Sequence, residues 1–154
     1  YEKNGVEFTY VGTSDLDAVQ AAFKPNTKAV YIETPTNPMM EITDVRALSK
    51  MAHDRNALVI VDNTFLSPYF QKPLHLGADI VVHSGTKFIG GHHDVISGFT
   101  IVKDDELAAQ LRLIYKTVGA CYLPLIAGLS FVPSKLWRSV WNSIKRMPLL
   151  SQNG

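Results

Sequence analysis

The chain has 154 residues, 46% hydrophobic and 19% charged, with a formal net charge of +1. That balance suits one ordinary α/β-sized domain with its own core, and neither a nucleic-acid partner nor a membrane is expected, since no apolar run approaches the ~20 residues of a span. No signal peptide opens the sequence and its single cysteine, Cys121, leaves no internal disulfide, so a reducing cytoplasm is the expected location.

In chain order, VEFTYV (6 to 11) reads as a strand, and SDLDAVQAAF (14 to 23) as a helix capped by Ser14 with Leu16, Val19 and Phe23 on one face. AVYI (29 to 32) is a strand that runs into ETPTNP (33 to 38), where Pro35 and Pro38 hold Asn37 in a non-helical turn. A helix near 43 to 55 carries the apolar stripe Val45, Leu48, Met51 and Ala52. ALVIV (57 to 61) ends in Asp62-Asn63-Thr64, and ADIVV (78 to 82) ends in HSGTKFIGGHHD, at 83 to 94. GFTIVKD (98 to 104) reads as a further strand. The run 104 to 119 then reads as a helix, with acids at its start, Arg112 and Lys116 near its end, and Gly119 as its stop. Strands alternating with helices predict an α/β fold with a mostly parallel sheet covered on both faces.

Three apolar strands release polar residues at their carboxyl ends, where ligands bind in open parallel sheets. Lys87 is a candidate Schiff-base amine, and Ser84 and Thr86 beside it are candidate donors to a phosphate. Pyridoxal 5'-phosphate carries both an aldehyde and a phosphate. Asp62 is placed to pair with its protonated pyridine nitrogen, and Asn37 to donate its amide to the phenolate oxygen. Each residue alone also reads as a turn or strand cap; their arrival on consecutive strands favours the functional reading. No metal site is expected, because His92, His93 and Asp94 are adjacent on a loop and no third ligand is placed by spacing. His83 reads as a core residue, Lys72 and His75 as surface, and Gly90, Gly91 and Gly98 form no dinucleotide fingerprint.

VYIETPTNP, the stretch from VIVDNTFLSPYFQKPLHLGADIVV through HSGTKFIGGHHDVISG, and LRLIYKTVGA resemble the Cys/Met-metabolism pyridoxal-phosphate enzymes. That family includes cystathionine γ-synthase, cystathionine β- and γ-lyase, methionine γ-lyase and O-acetylhomoserine sulfhydrylase. The resemblance implies the large domain of a fold-type-I enzyme, with Lys87 as the cofactor lysine, Asp62 as the pyridinium partner, Ser84 and Thr86 as phosphate ligands, and Asn37 as a cofactor contact. It implies a sulfur-containing amino-acid substrate of the cystathionine, cysteine or O-acylhomoserine class, and a homotetrameric parent. Cystathionine γ-synthase or β-lyase chemistry is the first expectation, with methionine γ-lyase or O-acetylhomoserine sulfhydrylase as the alternative. Gly85 stands where the family more often has alanine, which is expected to loosen the turn slightly and leave the chemistry intact. The family's ring-stacking tyrosine, glycine-rich phosphate turn, subunit-donated Tyr/Arg pair and carboxylate-binding arginine have no counterpart here. The chain is therefore read as a central fragment, inactive alone. Two other classes are a non-catalytic truncated fragment and a nucleotide-binding module, the latter disfavoured by the absent glycine motif.

The sequence divides at Ala120. Residues 1 to 120 read as a partial cofactor-binding domain; Cys121 to Gly154 holds no Asp, Glu or His, but does hold Lys135, Arg138, Lys145, Arg146 and both tryptophans, Trp137 and Trp141. A basic amphipathic helix, with Leu136, Val140 and Ile144 on one face, is one reading of this tail. The preferred expectation is a shifted reading frame. Restoring one lost G after the Gly119 codon permits a continuation with the family's S-P-F-D and R-x-I-K-T-L landmarks.

Overall fold

The computed structural model describes residues 2 to 120; the expectations for the tail fall outside them. After a 3-10 turn at Glu2–Asn4, the elements are α1 (Leu16–Ala22), β1 (Ala29–Glu33), α2 (Val45–His53), β2 (Leu58–Asp62), the short turns α3 (Ser67–Phe70) and α4 (Pro73–Leu76), β3 (Ile80–Ser84), β4 (Gly98–Val102) and α5 (Asp105–Val118). The strands form one sheet in the order β1-β2-β3-β4. The first three run parallel, with Glu33 opposite Asp62 and Asp62 opposite Val82. β4 returns antiparallel, setting Gly98 opposite Ser84.

Side chains alternate across a strand, so this register sorts the sheet into two faces. Ile32, Val59, Val61 and Val81 point to one face and pack with Val19 of α1 and Val45, Leu48 and Ala52 of α2 into a single core. α2 forms because Asp44 caps it, accepting the Ala47 N–H at 3.0 Å, and because its apolar residues recur at helical spacing. Leu48 is fully buried, so Leu48→Ala is expected to cost about 3 kcal/mol through lost burial and a residual cavity. A denaturant midpoint unmoved by that change would show the α2 contact to be dispensable.

Three expectations are corrected. Residues 6 to 11 form no strand: Val6, Phe8 and Tyr10 are exposed, and no strand among the described residues offers them a ladder. Only Val11 at the end of the run reaches the core. The cap of α1 is Asp15, whose carboxylate accepts the N–H groups of Asp17 and Ala18 at 3.0 and 3.1 Å, while Ser14 donates to Glu41 instead. The sheet is covered on one face but not fully on the other, where Tyr31 remains 59% exposed among the described residues. α5 begins and ends as its charges predict, on an Asp104 cap and a left-handed Gly119 at φ 69°.

Two polar links fix the strands lengthwise. Asp79 accepts the Val59 N–H at 2.7 Å and meets His53 of α2 at 3.0 Å, tying the start of β2 to the end of α2. Asn63, fully buried, donates to the carbonyls of Ser67 and Gln71 at 3.1 and 3.0 Å and accepts from the Gln71 side chain at 3.0 Å. Both donors and one acceptor site of its amide serve the chain rather than a ligand. That rigid turn fixes the backbone directly after Asp62.

Candidate active site at the carboxyl ends of the strands

Asp62 ends β2 and Ser84 ends β3, and the register puts both side chains on the face opposite the core. Thr64 joins them. Its hydroxyl donates to Asp62 Oδ1 at 2.5 Å and accepts the Ser84 N–H at 2.8 Å, and its own N–H donates to the same Oδ1 at 2.9 Å. One oxygen of the carboxylate is thus saturated. Oδ2 receives a single long bond, from the Tyr31 phenol at 3.4 Å.

Beyond Ser84 the chain makes a tight turn, Gly85–Ile89, closed by the Gly90 N–H to Gly85 carbonyl bond at 2.7 Å and the Gly91 N–H to Lys87 carbonyl bond at 2.8 Å. Lys87 breaks the helical path there, at φ −87° and ψ −122°, which carries its side chain to the surface. Its amine makes no ion pair among the described residues. Thr86 is half-buried and engaged with Ser97. Its hydroxyl donates to the Ser97 carbonyl at 3.2 Å and accepts the Ser97 N–H at 3.0 Å, while the Thr86 N–H donates to the same carbonyl at 3.2 Å. A hydroxyl has one proton, so Thr86 must release Ser97 before it donates to a phosphate. The Ser84 hydroxyl carries no such bond among the described residues.

Gly85 is not a loose point. A Cβ there would stand 2.2 Å from Ser97 Oγ and 2.6 Å from the Phe99 ring, so Ser97 and the start of β4 occupy the space an alanine needs. The expectation of a slackened turn is corrected accordingly. Asn37 lies exposed on a loop that Thr36 closes, taking the Glu41 N–H on its hydroxyl at 2.9 Å; Asn37 makes no hydrogen bond to Asp62, Ser84, Thr86 or Lys87. The structure therefore links Asp62 and Ser84 through Thr64, sets Lys87 three residues on from Ser84, and gives Asn37 no hydrogen bond to any of them. Among the described residues no His, Cys, Asp or Glu cluster has the makings of a metal site.

A family model described as Cys/Met metabolism PLP-dependent enzyme matches residues 1–130. The chain belongs to that family. The cystathionine gamma-lyase of Bacillus subtilis is 44% identical over 149 residues, covering 97% of this chain and 38% of that protein. The L-methionine gamma-lyase of Fusobacterium nucleatum subsp. polymorphum is 60% identical over 111 residues, 71% of this chain and 28% of that protein. The crystal structure of cystathionine gamma-lyase from Lactobacillus plantarum complexed with L-serine superposes with a TM-score of 0.87 at 40% identity, covering 96% of this chain and 42% of that one. This Cys/Met-metabolism chain thus spans well under half the length of such relatives.

The donor set of this family member fits pyridoxal phosphate. Asp62 Oδ2 has capacity left for a cationic N–H, the Ser84 hydroxyl is available, and the Lys87 amine is exposed. Thr64, Tyr31 and Ser97 hydrogen-bond to the candidate residues and are overlooked by motif reading. Thr64 was detectable as the third residue of an Asp-x-Thr turn, a pattern in which the hydroxyl and N–H fold back on the carboxylate. Tyr31 and Ser97 needed the strand register.

His83 lies on the core face, 3% exposed, and its Nδ1 has no partner among the described residues. Burial, the larger effect, lowers its pKa from the ordinary 6.5, while Asp62 and the Asn63 backbone pull the other way. The folded imidazole therefore binds its proton less readily than the unfolded one. Its contribution to stability is complete above about pH 6.5 and is lost as pH falls toward the depressed folded value. His83→Gln is expected to flatten that decline; urea midpoints that fall equally steeply in both proteins between about pH 7 and pH 5 would refute it.

Proposed function

We propose that this segment carries the cofactor half of the active site of a pyridoxal-phosphate enzyme of transsulfuration or methionine metabolism. The observation that carries the reading is the Thr64 bridge, which holds a carboxylate and a strand-end N–H together on adjacent parallel strands, with an exposed lysine three residues further on. Lys87 is the residue that holds the cofactor, Asp62 its ring-nitrogen partner, Ser84 and Thr86 the phosphate ligands, and Asn37 a contact of the phenolate oxygen.

Bound there, the cofactor supplies an electron sink for a carbanion at the substrate Cα. Asp62 would keep a proton on the ring nitrogen by offering its negative charge at Oδ2, with Oδ1 already hydrogen-bonded to Thr64. Lys87 would hold the cofactor and move the Cα proton of the substrate, and its exposed position on a tight turn gives the amine reach. Ser84 orients the phosphate end through its hydroxyl, and Thr86 joins it by exchanging Ser97 for the phosphate. The substrate is a sulfur-containing amino acid of the cystathionine, cysteine or O-acylhomoserine class, and the whole protein is a homotetramer. Cystathionine γ-synthase or β-lyase chemistry is the primary reading. The 60% identity to a methionine gamma-lyase supports that activity as a second one.

Borohydride reduction of the cofactor-loaded, full-length enzyme followed by peptide mapping tests this directly. The pyridoxyl label is expected on Lys87, and a label confined to another lysine would end the proposal. The 154-residue chain alone is proposed to be inactive, because the family's other cofactor and substrate groups lie elsewhere; efficient turnover by the purified chain would contradict that. The division at Ala120 is part of the same reading, supported by the absence of Asp, Glu and His and the presence of both tryptophans from Cys121 to Gly154. Genomic sequence across the Gly119 and Ala120 codons decides it, an uninterrupted frame being the contrary result.

A further inference from the structure

The two oxygens of Asp62 keep different company. Thr64 takes Oδ1 twice, through its N–H and its hydroxyl. Oδ2 is met only by the phenol of Tyr31, on the neighbouring strand, at 3.4 Å. The register accounts for this meeting: Tyr31 stands opposite Ile60 and Glu33 opposite Asp62, so Tyr31 shares the open face with the carboxylate one step back along the sheet. Its ring is 59% exposed, so the surrounding packing does little to fix it. The contact with Asp62 is what orients the hydroxyl.

We propose that Tyr31 is a positioning residue for Asp62, its phenol steadying Oδ2 so that the carboxylate meets a cationic ring nitrogen in one orientation and with its charge partly shared. The inference rests on the reading of Asp62 as the ring-nitrogen partner and adds a residue that reading does not contain. Without the phenol, the carboxylate is held at Oδ1 alone and is free to swing Oδ2. With it, both oxygens are tethered, one by a residue of its own turn and one from the adjacent strand. The arrangement needs the phenol protonated. Partial burial first, then the charge of Asp62, the hydrogen bond to it and the charge of Glu33 all raise the Tyr31 pKa above its ordinary 10.0, so the phenol remains a donor where a free one ionises.

The test has two arms, both on the full-length enzyme. In the first, without cofactor, alkaline absorbance titrations are compared, and subtracting Tyr31→Phe isolates the Tyr31 transition. That transition is expected at lower pH in the Asp62→Asn background than in wild type; an unmoved transition would overturn the contact. In the second arm, the cofactor dissociation constant and the pH dependence of its visible band are measured for wild type, Tyr31→Phe and Asp62→Asn. Tyr31→Phe keeps the ring and loses only the hydroxyl, and a weakening of cofactor binding of about fivefold is expected for one lost hydrogen bond that is long and exposed and so sits in the range of an ordinary neutral one. A displaced pH midpoint of the band should accompany it, which a purely structural tyrosine would not produce. If Asp62→Asn alters binding and band while Tyr31→Phe matches wild type in both, the inference fails and the cofactor reading stands. If Asp62→Asn itself changes neither, the cofactor reading of Asp62 fails, and this inference with it.

Discussion

Lys87→Ala in the full-length enzyme is expected to lower turnover by about 10³-fold or more, because in the proposed function one amine both anchors the cofactor and carries a proton. The fold should survive. Lys87 is exposed, makes no ion pair among the described residues, and contributes to the turn through its backbone carbonyl, which alanine retains. Cofactor binding should weaken without vanishing, since Asp62 and Ser84 remain. Added small primary amines are expected to restore part of the rate, as they supply the missing base without the missing tether. Wild-type turnover in Lys87→Ala, or a loss traced entirely to unfolding by circular dichroism, would remove Lys87 from the mechanism.

Asp62→Asn is expected to slow the same enzyme by about 10²- to 10³-fold, the size of effect seen when one preorganised electrostatic partner is lost from a reacting centre. An amide keeps the carbonyl that accepts from Thr64, so the link from β2 to Ser84 can persist and the loss is electrostatic rather than structural. What disappears is the negative charge at Oδ2. The Tyr31 phenol then hydrogen-bonds to a neutral group or to none. Steady-state kinetics should therefore show the decrease in kcat with cofactor still bound. Near-normal kcat at full occupancy would reduce Asp62 to a turn residue.

The two changes also separate the roles of the two strand ends. Asp62 sits in a closed network of Thr64 and Tyr31, whereas Lys87 stands on a turn that Ser97 and Phe99 brace from behind. A fault in the first network alters charge. A fault in the second alters where the amine and the Thr86 hydroxyl point. Thr86 belongs with the second group, because its hydroxyl starts out committed to Ser97.

Periodicity and end signals by themselves determined most of the elements: the apolar stripe of α2, the strands β1 to β3, and α5 with its acidic start and Gly119 stop. They did so because helix and strand periods, and the chemistry of caps, are local properties of the chain. The motif residues Lys87, Asp62, Ser84, Thr86 and Asn37 were legible in the same way, since resemblance is carried by order and spacing. Their relations to one another were not. The run at 6 to 11 alternates as a strand should, yet a strand exists only where another strand pairs with it, and pairing is not local. The Asp15 cap displaced Ser14 because one residue's difference depends on which side chain the folded turn aims at the free N–H groups. Tertiary structure alone decided that Tyr31 reaches Asp62, that Ser97 occupies Thr86, that Asn63 is a buried strut, and that Ser97 and Phe99 crowd Gly85. Each of those follows from strand register, which sets a residue beside one far away in sequence and which no single segment encodes.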